Sequence, residues 1–306
     1  MNCARKLNFG LLMVSILSLF HLNSLFATTT YFGRRPEVLM SDIFINSTYK
    51  IQGTDHEGRT ITGTVFIIGH DFPEIPHLPG QSTIVFFTAA HVLEGIKGDC
   101  ATVFLREKTG KVYKKIPYDL QIRYKDKPLW IKHPEVDIAA IFPQKPLGID
   151  LNVPSTVNIA TDEIFETKQL ITGDKLFVLG YPFGIEANNA GFPILRTGTI
   201  ASHPLSPIKD YKTFLMNFDV FGGNSGGPVF MQNRDSYGDI TGDHNYIVGI
   251  VIENWFITKQ VKDLEKIHPM DQKELGLAVV VHAQYMKELL QNIKVVPGQG
   301  HVLNGE

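Results

Sequence analysis

Short runs rich in β-branched and aromatic residues recur along the chain, with Gly, Pro, Asn and Asp clusters between them. Thr60 to Ile68 and Ser82 to Ala89 are the first two, separated by a loop holding Pro73, Pro76, Pro79 and Gly80. Ala101–Leu105, Val112–Ile116, Leu120–Tyr124 and Ile138–Phe142 follow. An irregular connector near 144–167, with Pro146 and Pro154, precedes a second set: Gln169–Thr172, Lys175–Leu179, Ile194–Ala201, Thr213–Val220, Pro228–Met231, Tyr246–Ile252 and Leu277–Val281. Tyr285, Met286, Leu289, Leu290 and Ile293 fall at helical spacing and predict a short helix over Ala283–Asn292. The pattern predicts an all-β fold of two antiparallel six-stranded β-barrels, 45–150 and 165–293, packed with a crevice between them and closed by that C-terminal helix. Residues 294–306 read as a loose tail.

The first 27 residues stand apart. Arg5 and Lys6 precede an apolar run from Phe9 to Phe20, then polarity rises and Ala27 offers a cleavage residue. This is the layout of a secretory signal peptide, and the run is shorter than a spanning helix requires. An uncleaved anchor is the alternative. Without the leader the chain carries 27 basic and 31 acidic residues, a net −4. No basic field invites nucleic acid or anionic lipid, so neither is expected as a partner, and no membrane after leader removal. Cys3 lies in the leader, which leaves Cys100 without an internal disulfide partner. It is expected to pack as a small apolar residue. An exported chain without disulfides points to a bacterial periplasmic or secreted location.

Three stretches carry candidate chemistry. Gly223-Asn224-Ser225-Gly226-Gly227-Pro228 sets a serine between glycines, where a tight turn can expose its hydroxyl and the Gly223 and Ser225 amides can hold an oxyanion. Thr88-Ala89-Ala90-His91 ends one apolar run with an imidazole, and Asp137-Ile138-Ala139-Ala140-Ile141 opens another with a carboxylate. A serine hydroxyl needs a base to remove its proton, and histidine titrates in the useful range. A carboxylate fixes the histidine tautomer and stabilises the imidazolium. Each residue alone is commonplace: a surface histidine, a turn-forming aspartate, a chance G-x-S-x-G.

Taken jointly they bring a resemblance. The chain resembles the chymotrypsin-like serine peptidases, nearest to the bacterial Htr/Deg-type and glutamyl-endopeptidase-type branches. Gly63-Thr64-Val65-Phe66, Gly180-Tyr181-Pro182, Gly198-Thr199-Ile200, Gly222 to Pro228 and Gly249-Ile250-Val251 share it with the His and Asp motifs. The likeness spans roughly residues 45–293. It implies the double barrel, an exported serine endopeptidase that forms an acyl-enzyme, His91 as general base, Asp137 as orienter, Ser225 as nucleophile, and no cofactor or metal. Asn224 stands where animal-type members carry an aspartate that captures a freed N-terminus, so no such activation bridge is expected. A peptide-binding PDZ module, usual in Htr-type chains, is not expected after the helix.

Asp219, six residues before Ser225, falls where trypsin-like members hold an acidic pocket base, with Gly276 and Ile252 to Asn254 as further lining. A buried carboxylate there selects basic side chains; the alternative is a turn cap. The charged insertion from Trp255 to Gly276 reads as solvated decoration, a lid or a partner-binding arm. His70 to His77 holds ligand-type residues, but its prolines and spacing describe a surface loop rather than a metal site. Two rivals remain: a catalytically silent binding protein of the same fold, and a serine esterase of the α/β-hydrolase type. The latter needs a helix directly after the serine, whereas Pro228-Val229-Phe230-Met231 reads as a strand.

Overall fold

The N-terminal half builds a seven-stranded antiparallel sheet from strands β1 (Thr48–Thr54), β2 (Thr60–His70), β3 (Thr83–Thr88), β4 (Lys97–Thr109), β5 (Val112–Gln121), β6 (Trp130–Lys132) and β7 (Ala139–Ile141), in the order β5-β4-β1-β2-β3-β7-β6. The computed structural model describes residues 40–70, 83–143, 149, 151–232, 245–254, 276–295 and 302–304, all within one compact unit, 40–306. Helix α1 (Met40–Ser47) leads into β1, and helix α2 (Ala90–Gly95) joins β3 to β4. Gly63 to Gly69 of β2 is buried almost throughout, with Val65, Phe66, Ile67 and Ile68 in the core. That accounts for its continuous apolar run: β2 is covered on both faces. The pairing ends at β5 on one edge and β6 on the other, so this half is an open sheet by its ladders where a six-stranded barrel was expected.

The C-terminal half closes. Strands β8 (Lys175–Gly180), β9 (Ile194–Ile200), β10 (Thr213–Asn217), β11 (Pro228–Met231), β12 (Tyr246–Asn254) and β13 (Leu277–His282) form a six-stranded barrel in the order β8-β9-β10-β13-β12-β11. Phe177 faces Phe230 across the closing pair β8–β11. Closure removes the exposed edges that an open sheet must guard. Pro228 opens β11, a position where its missing N–H costs no ladder bond. Helix α4, Gln284–Gln291, buries Tyr285, Met286, Leu289 and Leu290 as its spacing predicted. Among the described residues no helix is long and apolar enough to cross a membrane.

Three readings change. Val112–Ile116 and Leu120–Tyr124 were expected as separate strands; Val112 to Gln121 is one strand, with Pro117 paired to Phe104. Pro117 is tolerated because β5 is a sheet edge. Gln169–Thr172 is not a strand but the turn after helix α3 (Asp162–Thr167). Asp162 and Glu163 sit in the first turn of that helix, and the Asp162 carboxylate accepts from Ser206 Oγ at 2.7 Å and Ile208 N at 2.9 Å. Gln169 then takes φ 50°, which no strand tolerates. Cys100 is exposed rather than packed. Ala101, Val103 and Leu105 take the buried phase of β4, so the alternation turns Cys100 outward. The leader 1–27, residues 71–77 of the histidine-bearing loop, insertion residues 255–275 and tail residues 296–301 lie outside the described residues.

His282 is the polar oddity of the core. It is fully buried at the end of β13, 4.8 Å from the Phe165 ring and 4.9 Å from the Phe214 ring, and neither ring nitrogen has a hydrogen-bond partner among the described residues. Burial pushes its pKa down to about 4, against the pull of Asp162. Because the unfolded histidine titrates near 6.5, the unfolded state binds the proton first as pH falls. Stability from this group is complete above about pH 6.5 and is lost between about 6.5 and 4, up to about 3 kcal/mol. Thermal melts of wild type and His282→Leu at pH 7.5 and about 4.5 check this; the variant should lose less of its Tm on acidification.

Candidate active site

His91 and Asp137 are in contact. Thr88 ends β3, and the chain turns at Ala89 into α2, which starts at Ala90, so His91 sits in the first turn of that helix. Asp137 lies just before β7, which pairs with β3 through Thr88 and Ala139. That pairing sets the two side chains together. Asp137 Oδ2 lies 2.5 Å from His91 Nδ1, and Asp137 Oδ1 accepts from the His91 amide at 3.0 Å. A carboxylate holding ring and backbone of the same residue fixes both the position and the orientation of the imidazole. An ionised carboxylate only accepts, so the Nδ1 contact favours the tautomer with its proton on Nδ1 and the lone pair on Nε2. The His91 side chain is 46% exposed, so Nε2 stays reachable. Burial pushes the Asp137 carboxyl up, but the His91 bonds and charge, with Lys132 nearby, outweigh it and hold it below the ordinary carboxylate value.

The serine loop is seated against the same sheet. Thr64 in β2 donates its amide to Ser225 O at 2.9 Å and its hydroxyl to Gly223 O at 2.7 Å. Thr88 donates its hydroxyl to Thr64 O at 2.7 Å, which ties β3 into the seam. Gly226 takes φ 89°, and a Cβ there would overlap Thr64 O and Thr88 Oγ1. Gly223 takes φ 99°, and a Cβ there would overlap Tyr181 O. Both positions therefore demand glycine twice over, by dihedral and by approach. The result places Ser225 one residue from a contact with Thr88, three residues before His91. The Ser225 hydroxyl donates to Ile252 O at 3.2 Å and not to His91. Among the described residues the amides of Gly223 and Ser225 have no acceptor, whereas those of Asn224, Gly226 and Gly227 bond to Phe221 O, Val251 O and Asn224 O. Two unspent amide donors, one on either side of Asn224, are the kind of group an oxyanion site uses.

The pocket residues are gathered less fully. Asp219 and Gly276 adjoin, since a Cβ on Gly276 would stand 2.8 Å from Asp219 Oδ1. Asp219 is exposed rather than buried, and its carbonyl accepts from Arg196 at 2.8 Å. Ile252 is buried and reaches Ser225 through its carbonyl, while Asn254 ends β12. The residues after Ser225 enter barrel strand β11 and not a helix, which departs from the esterase arrangement. Among the described residues no three or more His, Cys, Asp or Glu gather as metal ligands.

A set of bracing residues went unnoticed in the sequence. Arg106 is 4% exposed and donates to Ile45 O, Asn46 O, Thr48 O, Gly191 O and Tyr181 Oη, between the rings of Tyr49 and Phe192. Glu186 takes Lys50 at 2.5 Å and Lys115 at 2.7 Å, and Lys50 also reaches Gly184 O at 3.4 Å. Burial raises the Glu186 carboxyl, but the two lysines outweigh it and bring its pKa down. Segment 181–191 is thus fastened to the N-terminal sheet, and it packs on Gly222 and Gly223 through Phe183 N–Gly222 O at 2.6 Å. No local signal marks these residues, because each bonds to a partner from 58 (Arg106 to Thr48) to 136 (Lys50 to Glu186) residues away.

No family model and no curated protein matches the chain. Solved structures do. The chain is similar to the HtrA-type protease AlgW with a tripeptide, at 17% identity over 82% of this chain and 61% of that one, with a TM-score of 0.46. AlgW with a decapeptide gives 14% identity, 82% and 65% coverage and a TM-score of 0.47. A thermostable serine protease, AL20, from an extremophilic microorganism gives 11% identity, 80% and 94% coverage and a TM-score of 0.45. The chain thus spans less than two thirds of the AlgW chains. Superpositions this loose transfer no residue roles, and the site stands on its own distances.

Gly226→Ala should destabilise the protein by at least about 1–3 kcal/mol, from the left-handed dihedral alone and more from the clash with Thr64 and Thr88. Gly222→Ala, with nothing within 4 Å of the added carbon, should stay within about 0.5 kcal/mol of wild type. Urea unfolding of the two variants checks the contrast.

Proposed function

We propose that the chain is an exported serine endopeptidase that cleaves protein or peptide substrates through an acyl-enzyme intermediate. The observation that carries this reading is the seating of the Ser225 loop, through Thr64 and Gly226, on the strands that hold the His91–Asp137 pair. Ser225 is the nucleophile. Its hydroxyl swings from Ile252 O toward His91 Nε2 as substrate enters. The Oγ–carbonyl bond forms, the proton passes to Nε2, and the carbonyl electron pair moves onto oxygen. The Gly223 and Ser225 amides hold that oxyanion. Collapse expels the amine, which takes the proton from Nε2, and water repeats the sequence to release the acid. Asp137 keeps Nδ1 protonated and stabilises the imidazolium. The chemistry asks for no cofactor or metal.

On this reading residues 1–27 are a leader, the protein works in the periplasm or outside the cell, and the two sheets act as the two barrels of a double-barrel peptidase with the site in between. Asp219, Ile252, Asn254 and Gly276 line the primary pocket. The open position of Asp219 favours a rim that attracts basic side chains over a buried ion pair.

One observation favours a second reading, a silent binding protein: the Ser225 hydroxyl rests on Ile252 O. Peptide hydrolysis separates the two. Wild type should cleave unfolded casein or a peptide pool; Ser225→Ala and His91→Ala should each lose about 10⁴–10⁶ in kcat, and Asp137→Asn about 10³–10⁴. A folded wild type that turns over nothing, yet binds peptide as tightly as Ser225→Ala does, establishes the binding protein instead.

A further inference from the structure

Beside the serine loop lies a large apolar side chain exposed to solvent. Phe183 is 70% exposed and sits in the turn Pro182–Gly184 at φ 54°, ψ 21°, a left-handed conformation that non-glycine residues rarely adopt. Both features are unfavourable in isolation, and both are held in place. The Phe183 amide donates to Gly222 O at 2.6 Å, and the Gly184 amide donates to Tyr181 O at 2.8 Å. Lys50 bonds to Gly184 O, and through Glu186 it joins Lys115 in pinning the segment. The Phe183 ring stacks on Phe221 with centroids 4.7 Å apart and 28° between planes. Arg196 lies over Phe218 and Phe221, at 4.3 and 5.3 Å from their ring centres, and bonds to Asp219 O. Ile185, two residues on, is 54% exposed. The outcome is an apolar step on the surface, built by one loop that touches Gly222 and Gly223 and by the loop after β10 that leads to Ser225.

We infer that the Phe183–Phe221 pair is a subsite for an apolar or aromatic side chain of the substrate, next to the bond being cleaved. This rests on the peptidase reading and deepens it. Its occupant follows from continuity with the nucleophile: Phe183 is hydrogen-bonded three residues, and Phe221 lies four residues, before Ser225. An extended peptide whose carbonyl lies against the Gly223 and Ser225 amides carries its flanking residues at about 3.3 Å spacing, so a neighbouring side chain falls within reach of the step. A pre-stacked ring pair loses little conformational freedom on binding, which favours recognition of an apolar group over a polar one. Strained backbone at an exposed aromatic beside a candidate nucleophile fits a binding role better than a packing role.

The test uses the full-length protein and a peptide library randomised on both sides of the cleaved bond. Wild type should show one position enriched in Phe, Leu, Ile and Met. Phe183→Gly keeps the left-handed backbone and removes the ring. It should lower kcat/KM about ten-fold or more for peptides with those residues and less than about two-fold for peptides with Gly or Ser there. Phe183→Leu should recover most of the difference. An equal loss on every peptide, or no loss, overturns the subsite. A second measurement, fluorescence anisotropy of labelled library peptides with Ser225→Ala carrying either Phe183 or Gly at 183, does not need turnover. Cleavage without dependence on Phe183 removes the subsite and leaves the peptidase. Phe183-dependent binding with no cleavage by wild type removes the peptidase and leaves the subsite. No cleavage and no Phe183-dependent binding removes both.

Discussion

One main-chain hydrogen bond, from the Thr64 amide to the Ser225 carbonyl, joins the strand framework of one half to the serine loop of the other. It can form only because Gly226 has no side chain where Thr64 O and Thr88 Oγ1 approach. Around it the Thr64 and Thr88 hydroxyls are fully used, one on Gly223 O and one on Thr64 O. Burying such groups is costly unless each finds a partner, and here each does. Position, then, is imposed by packing and hydrogen-bond saturation, not by contact between the chemical groups themselves. The Ser225 hydroxyl is free to rest elsewhere while its backbone stays fixed.

The same logic extends outward. Segment 181–191 carries no element longer than one short turn, yet it backs Gly223. Arg106, Lys50, Lys115 and Glu186 supply the rigidity that regular structure does not. A buried guanidinium that satisfies four carbonyls and a phenol is a demanding arrangement: without the arginine, Thr48 O and Gly191 O keep the Tyr181 hydroxyl as a donor, whereas Ile45 O and Asn46 O lose the guanidinium, at a cost of about 1–3 kcal/mol for each acceptor left buried and unpaired. With no internal disulfide available to the described chain, ionic and hydrogen-bonded bracing does work that small secreted domains often assign to cystines.

Much of this was legible in the chain. Continuous apolar runs such as Thr60–Ile68 and Ser82–Ala89 are what strands buried on both faces leave behind, and they appear as β2 and β3. The meeting of His91 and Asp137 was legible because each follows or precedes a strand that had to lie in the core. Where the reading slipped, the cause was local. Phase in β4 decides that Cys100 faces out, and the apolar positions 101, 103 and 105 already carried that phase. Asp219 was placed by its spacing to Ser225, and spacing along a loop does not fix burial, so its exposure was not legible. The brace was out of reach, because a charged residue reads as surface until its distant partner is known. That the N-terminal sheet stays open by its ladders was likewise beyond the strand pattern, which gives periods but not which edges pair.

The central claim is that Ser225 is chemically activated by His91 held on Asp137. Labelling with a fluorophosphonate, mapped by mass spectrometry on the folded protein, tests it most directly. The account predicts a single adduct on Ser225 in wild type, slowed by orders of magnitude in His91→Ala and Asp137→Asn while both variants keep the wild-type melting profile. A folded wild type that leaves Ser225 unmodified, or one labelled as fast without His91 as with it, contradicts the account.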